Sequence, residues 1–188
     1  DFRAVIQRAA QQGLRFVFTP INGSTEEDTV RFLKERLGLV EGIHFLIPPA
    51  EAVLPLTDLA HPAWGYEDFD PARKGILDNT IKFAKRRGIS NIFARDLDGD
   101  RLVYALETTK GWVSLDGNQN AILMLNDRLA TLKSEGRQAD IDNFVMMYSH
   151  VTSPLLRVIA NFYGVKKENI GEVPVGFKFF GAVIERKL

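Results

Sequence analysis

Apolar positions recur along this chain with two different spacings, one typical of helices and the other of strands. Helical spacing predicts helices over residues 2–12, 24–37, 72–87, 118–134 and 154–163, and a last one from residue 177 onward. Short β-prone runs predict strands over residues 14–18, 43–47, 92–95, 101–107, 112–115, 144–148 and 172–175. Residues 51–71 mix prolines and aromatic side chains without a period, which predicts mainly loop.

The order of these elements indicates the fold class. Strands alternate with helices, and this alternation is typical of an α/β fold whose sheets are mixed but mainly parallel, with helices on both faces. The helix and the polar break between residues 115 and 140 offer the best domain boundary. We therefore predict two domains, 1–115 and 116–188.

Composition limits the class of partner. Lys+Arg and Asp+Glu both number 24, and this balance gives no support to a nucleic-acid or membrane partner. Cysteine is absent, which excludes a disulfide framework and a thiol nucleophile and fits a cytoplasmic location. No apolar run approaches the length of a transmembrane helix, and the first residues lack a signal-peptide pattern. Because the chain opens on Asp1 in a helical pattern, we expect an excised piece of a longer protein.

The hexapeptide Asp96-Leu97-Asp98-Gly99-Asp100-Arg101 lies between two predicted strands. Three carboxylates at alternate positions, with a glycine that allows a tight turn, suit a hard divalent cation. The neighbouring arginine suits a phosphate, because its fork of N–H donors matches phosphate oxygens. The hexapeptide thus predicts a metal site used in phosphoryl chemistry.

Four interpretations of this segment differ in what they explain. A charged surface turn is the simplest, with Arg95 and Arg101 compensating the carboxylates. A calcium loop of the EF-hand type would use Glu107 as its last ligand, but Arg101 stands where that loop requires glycine. A haloacid-dehalogenase-type phosphatase would use Asp96 as nucleophile, although Arg95 interrupts the apolar strand that should precede it. The fourth interpretation is a family resemblance that accounts for all six residues.

The hexapeptide resembles the metal-binding loop of the phosphohexomutases, the phosphoglucomutase/phosphomannomutase superfamily. Downstream, residues 173–181 (Val-Pro-Val-Gly-Phe-Lys-Phe-Phe-Gly) resemble that family's Pro-(Thr/Val)-Gly-(Phe/Trp)-Lys segment. Residues 144–164 resemble the strand and serine-led helix of the family's third domain. The resemblance implies that residues 1–115 are the metal-binding-loop domain, the second of four, and that 116–188 are part of the third.

The resemblance also implies a function. The chain would be a fragment of a phosphoglucomutase-like enzyme that transfers phosphate reversibly between positions 1 and 6 of a hexose through a phosphoserine and a bisphosphate intermediate. Asp96, Asp98 and Asp100 would bind Mg²⁺, and Arg101 would be a catalytic residue that holds the phosphate. Gly176 and Lys178 would bind substrate. The expected partners are a hexose phosphate, glucose 1-phosphate or glucose 6-phosphate, and the remaining domains of the parent chain.

Departures from the family pattern limit what this chain would do alone. It contains no Thr-Ala-Ser-His-Asn-Pro-like phosphoserine loop, no Gly-Glu-x-Ser-Gly-like sugar loop and no Arg-x-Ser-Gly-Thr-like phosphate loop. We therefore expect the isolated chain to be inactive. The alternatives that remain are a haloacid-dehalogenase-type phosphatase and a non-enzymatic module that binds a divalent cation.

Other candidates for chemistry have simpler explanations. The three histidines lack metal-ligand spacing and are expected to be structural or exposed: His44, His61 and His150. Residues 22–24, after a strand, could receive an anion at a helix N-terminus, but a helix cap is favoured. Trp64, Tyr66 and Phe69 could form a sugar platform, although packing within a loop is commoner.

Overall fold

The computed structural model describes residues 2–21, 23–53 and 69–187 of the chain. The chain divides into two compact units, Asp1–Gly117 and Asn118–Leu188, and each is described here by itself. Most of the predicted loop over residues 51–71 lies outside the described residues, as do Trp64, Tyr66 and His61. The assignment of the two predicted domains to particular phosphohexomutase domains stays a prediction.

The first unit contains one sheet and three α-helices among its described residues. Its strands are β1 (Phe16–Thr19), β2 (Phe45–Leu46), β3 (Asn91–Arg95), β4 (Leu102–Thr108) and β5 (Gly111–Leu115). Its helices are α1 (Phe2–Gln11), α2 (Glu26–Arg31) and α3 (Asp78–Arg86). A π-helical turn, Phe32–Arg36, continues α2, and Ala50–Ala52 form a 3₁₀ turn.

The five strands form one mixed sheet in the order β2-β1-β3-β4-β5. β1 runs parallel to both β2 and β3, whereas β4 is antiparallel to β3 and to β5. The predicted α/β class with mixed sheets is therefore confirmed. The antiparallel half follows from the short connections around β4, because a few residues can join antiparallel strands but not parallel ones.

Side chains of β1 alternate between two cores, so both faces of this sheet are covered. Phe16 and Phe18 pack with α1 and α2 in a cluster that includes Leu33 and Phe45. Val17 faces the opposite cluster, whose members include residues of α3 and of strands β3 and β4. All four residues of β1 are buried, which is typical of a central parallel strand.

The second unit contains a parallel pair of strands and four helices among its described residues. Its elements are α4 (Gly117–Ser134), α5 (Gln138–Asp142), β6 (Met146–Ser149), α6 (Leu155–Tyr163), the 3₁₀ turn Lys167–Asn169, β7 (Ile170–Val173) and α7 (Phe177–Lys187). Strands β6 and β7 pair in parallel. Their core is the cluster that includes Leu129, Leu132, Ile141 and Ala160.

Several predicted boundaries are wrong, each for a local reason. Helix α3 begins at Asp78 rather than residue 72, because residues 73–78 form successive turns around Gly75, whose φ is +88°. The last strand covers 170–173 rather than 172–175. It stops before Pro174, which has no N–H to continue a ladder. Helix α5 was not predicted, since five residues are too few to show a helical period.

Among the helices that the structure describes, none has both the length and the apolar character needed to cross a bilayer.

Candidate metal centre

The acidic hexapeptide forms the connection between antiparallel strands β3 and β4. The Gly99 N–H donates to the Asp96 carbonyl at 3.1 Å, and the Asp96 N–H donates to the Arg101 carbonyl at 3.3 Å. Gly99 has φ of +77°, a left-handed conformation that glycine adopts without steric cost. We call residues 96–101 the acidic loop.

The acidic loop brings the three predicted ligands together. One carboxylate oxygen from each of Asp96, Asp98 and Asp100 lies within 4.8 Å of the others. Octahedral Mg²⁺ holds its oxygens at about 2.0–2.1 Å, so two of them are separated by at most roughly 4.2 Å. Neighbouring ligands of an octahedral ion are only roughly 2.9 Å apart, so the loop would draw the three carboxylates together to bind the cation.

Arg101 anchors the buried member of this cluster. Its Nε donates to Oδ2 of Asp96 at 2.6 Å, and its backbone N–H donates to Oδ1 at 3.0 Å. Its Nη1 donates to Oδ2 of Asp70 at 2.5 Å, whereas Nη2 takes no part in these contacts. A carboxylate has about four lone-pair sites, so Asp96 can accept these bonds and still bind a cation.

The charges of the acidic loop act on one another. Burial works to raise the pKa of Asp96, but hydrogen bonds from Arg101 and its positive charge hold that pKa below the ordinary value of 3.8. Repulsion from the Asp98 carboxylate, with smaller contributions including one from Asp96, raises the pKa of Asp100. Arg101 offsets part of this negative charge, closely at Asp96 and more weakly at Asp100, where its Nε lies 3.9 Å from Oδ1, and a divalent cation would offset the rest. The donor set fits Mg²⁺.

A second segment holds the acidic loop from the side. The Ser24 N–H donates to the Leu97 carbonyl at 3.2 Å, and a Cβ added at Gly23 would lie 2.6 Å from Leu97 Cα. Both segments follow parallel neighbours, β1 and β3, and the carboxyl ends of parallel strands meet at one edge of a sheet. The helix cap favoured for residues 22–24 is wrong in its detail: α2 begins at Glu26 without a side-chain cap, and Thr25 Oγ1 is buried without a hydrogen-bond partner.

Gly176 and Lys178 lie at the start of α7 in the second unit. Gly176 has φ of +126°, and its carbonyl accepts a hydrogen bond from the Phe179 N–H at 3.1 Å. Lys178 is exposed, with its Nζ 5.0 Å from the centre of the Phe179 ring. Their predicted substrate-binding role stays a prediction.

Two residues that contact the acidic loop were not predicted as part of a site. The sequence marked Arg95 as a compensating charge and as an interruption of the apolar strand, yet its guanidinium donates to Gly99 and to Thr29 on α2. Asp70 carried no sequence signal at all, because it lies in a region without periodicity and reaches Arg101 from 31 residues away.

The two histidines that the structure describes are each accounted for within their own unit. Nδ1 of His44 accepts a hydrogen bond from the Val40 N–H at 2.9 Å, which is the expected structural role. His150 is exposed, and the neighbouring Ser149 hydroxyl pairs with that of Thr152 at 2.9 Å. The Ser149 hydroxyl is therefore engaged by Thr152 rather than by the neighbouring His150.

The flanking structure excludes the calcium loop. An EF-hand loop joins two helices and ends on a bidentate glutamate. Here the acidic loop joins two strands, and Glu107 lies near the far end of β4, where its Oε2 accepts a hydrogen bond from Ser90. Glu107 cannot reach the aspartates, because five intervening strand residues separate it from Arg101 by roughly 17 Å or more.

Fold and site together define an α/β protein with a candidate site for a divalent cation. No protein-family model matches the sequence. Phosphoribomutase from Saccharomyces cerevisiae is 28% identical over 169 residues, covering 88% of this chain and 26% of the yeast protein. A probable phosphomannomutase from Haemophilus influenzae is 37% identical over 115 residues, covering 61% of this chain and 22% of that protein.

The fold has a solved counterpart. The apo crystal structure of N-acetylglucosamine-phosphate mutase, a member of the α-D-phosphohexomutase superfamily, aligns with a TM-score of 0.54 at 10% identity. The alignment covers 98% of this chain and 38% of that one, and at this identity the likeness concerns the fold. The names of the sequence relatives agree with the resemblance found in the sequence, and the solved counterpart agrees with the predicted α/β fold. The chain spans about a quarter of the length of the yeast and bacterial relatives.

Proposed function

We propose that this chain supplies the Mg²⁺-binding loop of a phosphosugar mutase that transfers phosphate between positions 1 and 6 of a hexose. The observation that carries the proposal is the convergence of Asp96, Asp98 and Asp100 within 4.8 Å at the end of β3, with Arg101 anchored beside them. The names of the relatives, phosphoribomutase and phosphomannomutase, support this class of reaction.

Each residue of the loop has a separate task in this proposal. Asp96, Asp98 and Asp100 would hold Mg²⁺, which when bound draws charge from phosphoryl oxygens. Arg101 keeps Asp96 ionised and oriented through its Nε and backbone N–H. Because Nη1 is engaged by Asp70, Nη2 is the part of the guanidinium left to donate to a phosphate oxygen.

The reaction also needs groups outside these 188 residues. The chain has no phosphoserine loop, so the phosphoryl donor would come from the rest of a longer protein. We propose a hexose phosphate, such as glucose 1-phosphate, as the substrate, and Gly176 and Lys178 would contribute to its binding. The isolated chain would then bind the cation without turning over substrate.

The haloacid-dehalogenase alternative fits the geometry less well. Its nucleophile would be Asp96, which must attack phosphorus with a carboxylate oxygen. That side chain is only 1% exposed, and both of its oxygens accept hydrogen bonds from Arg101. An oxygen held in this way is a poor nucleophile but a well-oriented ligand.

The metal assignment is tested by Asp98→Asn in this chain. Asp98 is exposed, so the substitution removes a charged ligand with little effect on folding. Because losing even a supporting partner of a metal ligand weakens binding 10–100-fold, we expect at least about 100-fold weaker Mg²⁺ binding by titration calorimetry. The matched control is Asp127→Asn, an exposed aspartate of helix α4, which should bind Mg²⁺ like the wild type.

Unchanged Mg²⁺ affinity in Asp98→Asn would rule out the aspartate cluster as the site. Incubation of the pure chain with glucose 1-phosphate and Mg²⁺ gives a second check, in which no glucose 6-phosphate should form. Conversion by the isolated chain would contradict the need for a phosphoserine from elsewhere.

A further inference from the structure

The side of the acidic loop facing helix α2 rests on one arginine. Arg95, the last residue of β3, is half-buried, and its Nη1 donates to Oγ1 of Thr29 at 3.0 Å. Its Nη2 donates to the carbonyl of Gly99. The Thr29 hydroxyl in turn donates to the Thr25 carbonyl at 2.8 Å, which fixes it on α2. Arg95 therefore connects a helix to the centre of the acidic loop.

The hydrogen bond from Arg95 to the Gly99 carbonyl holds the backbone between Asp98 and Asp100, and this backbone sets the orientation of both carboxylates. The Gly99 carbonyl belongs to the planar peptide unit that joins Gly99 to Asp100. Asp98 is the residue directly before Gly99. Rotation of this peptide would move the Asp98 and Asp100 side chains relative to each other. A hydrogen bond from a guanidinium is stronger than one between neutral groups, so it resists that rotation.

Close packing at Gly99 makes the contact specific. A Cβ placed on Gly99 would lie 2.8 Å from Arg95 Nη2 and 2.5 Å from Thr25 Cγ2. Among the described residues, no carboxylate lies within ion-pair distance of Arg95. Its charge is thus directed at neutral acceptors, and it adds positive potential beside the three aspartates.

We propose that Arg95 is a positioning residue for the cation site, acting through the Gly99 carbonyl to hold Asp98 and Asp100 in the orientation that binds a divalent cation. This inference rests on the proposed metal function of the acidic loop. It gives Arg95 a role distinct from that of Arg101, which contacts a ligand carboxylate directly.

The first measurement is Mg²⁺ affinity of the whole 188-residue chain by titration calorimetry. In Arg95→Met we expect about 10-fold weaker binding, the lower end of the effect seen when partners of metal ligands are removed. Arg95→Lys should recover part of the loss, because an ammonium can reach one of the two acceptors but lacks the fork that spans both. The matched control is Arg15→Met. It also removes an arginine–carbonyl hydrogen bond of the first unit, from Arg15 Nε to the Ile43 carbonyl. Its affinity should stay within about twofold of the wild type.

The second measurement is amide hydrogen exchange without any cation. The Gly99 and Arg101 amides are bonded to Asp96, so both should exchange faster in Arg95→Met while the amides of β1 stay protected. Faster exchange with unchanged Mg²⁺ affinity would show a purely structural role and overturn the proposal, as would unchanged exchange. If the wild type binds no Mg²⁺, the metal function itself fails, and the exchange data alone decide whether Arg95 positions the loop.

Discussion

At the scale of single residues, the acidic loop depends on a glycine that meets two separate demands. Gly99 adopts a left-handed conformation, and it also packs so closely that a methyl group has no room. The first demand belongs to the turn. The second comes from Arg95, the last residue of β3, and from Thr25, which directly precedes α2.

Gly99→Ala should therefore cost more than the backbone conformation alone. The left-handed conformation costs about 1–2 kcal/mol for an L-residue, and overpacking adds about 1–3 kcal/mol. We expect a loss of roughly 2–5 kcal/mol in the free energy of unfolding by urea titration, together with weaker Mg²⁺ binding.

Gly88→Ala separates the two contributions. Gly88 has φ of +63°, but nothing lies within 4 Å of the Cβ it would gain. This variant should lose only the conformational part, about 1–2 kcal/mol, and should bind Mg²⁺ normally. Equal losses in the two variants would contradict close packing at Gly99.

The sequence predicts the candidate ligands of this site better than it predicts the residues that hold the acidic loop in place. Asp96, Asp98, Asp100 and Arg101 are adjacent in the chain, so their spacing alone places them on one turn. Asp70 and Ser24 reach the loop from 31 and 73 residues away, and such contacts become visible only in the folded chain. Which residues contact the loop from a distance depends on which strands are neighbours in the sheet, and the local spacing of residues does not reveal the strand order.

At the scale of elements, the β3–β4 hairpin holds the acidic loop at its end. The rings of Phe93 and Tyr104 stack across the two strands with centroids 4.8 Å apart. The Tyr104 hydroxyl donates to Oδ1 of Asn91 at 2.6 Å, and Nδ2 of Asn91 donates to the Arg15 carbonyl at 3.2 Å. This pair ties the hairpin to the chain that enters β1.

Burial gives the Tyr104 contact a predictable pH dependence. It raises the pKa of the Tyr104 phenol above the ordinary value of 10.0, so folding favours the protonated form. The stabilisation is complete below the unfolded pKa and is lost as pH rises through the higher pKa of the folded state. Relative to Tyr104→Phe, the wild type should gain about 1 kcal/mol at neutral pH from the hydrogen bond, and this gain should shrink above about pH 10.

Urea unfolding of both proteins between about pH 7 and about pH 11 measures this difference directly. Tyr163→Phe removes the equivalent hydrogen bond, from Tyr163 to Asn126, and is the matched control for losing a Tyr–Asn bond. A wild-type advantage that stays constant throughout the alkaline range would contradict the role of burial at Tyr104.

The sequence predicts the long elements well and the short ones poorly. Helix α4 was expected over 118–134 and covers Gly117–Ser134, because eighteen residues display several turns of a helical pattern. Strand β2 keeps only two of its five predicted residues. β2 lies at the edge of the sheet, and how far an edge strand pairs depends on its neighbour rather than on its own apolar run.

At the scale of the whole molecule, the two units have separate hydrophobic cores. The two clusters of the first unit draw on residues between 6 and 112, and the cluster of the second unit draws on residues between 121 and 170. The alternation of strands and helices predicts the α/β class, but it does not reveal that the five-stranded sheet is half antiparallel. That difference depends on the hairpin connections, which put the acidic loop at the end of β3.

Separate cores predict that damage in one unit should leave the cation site of the other intact. Leu129 of helix α4 is completely buried in the second unit, and its truncation to alanine leaves a cavity. We expect Leu129→Ala to lower the free energy of unfolding of residues 118–187 by about 2–5 kcal/mol, measured by amide exchange of that unit. Mg²⁺ affinity at Asp96, Asp98 and Asp100 should stay unchanged.

Helix α4 offers its own control for this experiment. Met124 is 73% exposed, so Met124→Ala removes a comparable volume without opening a cavity and should change stability by less than about 0.5 kcal/mol. If Leu129→Ala weakened Mg²⁺ binding as strongly as Asp98→Asn, the cation site would depend on the second core, contrary to the separate clusters. Unchanged affinity with selective loss of protection in residues 118–187 would show that the first unit holds its ligands without help from the second core.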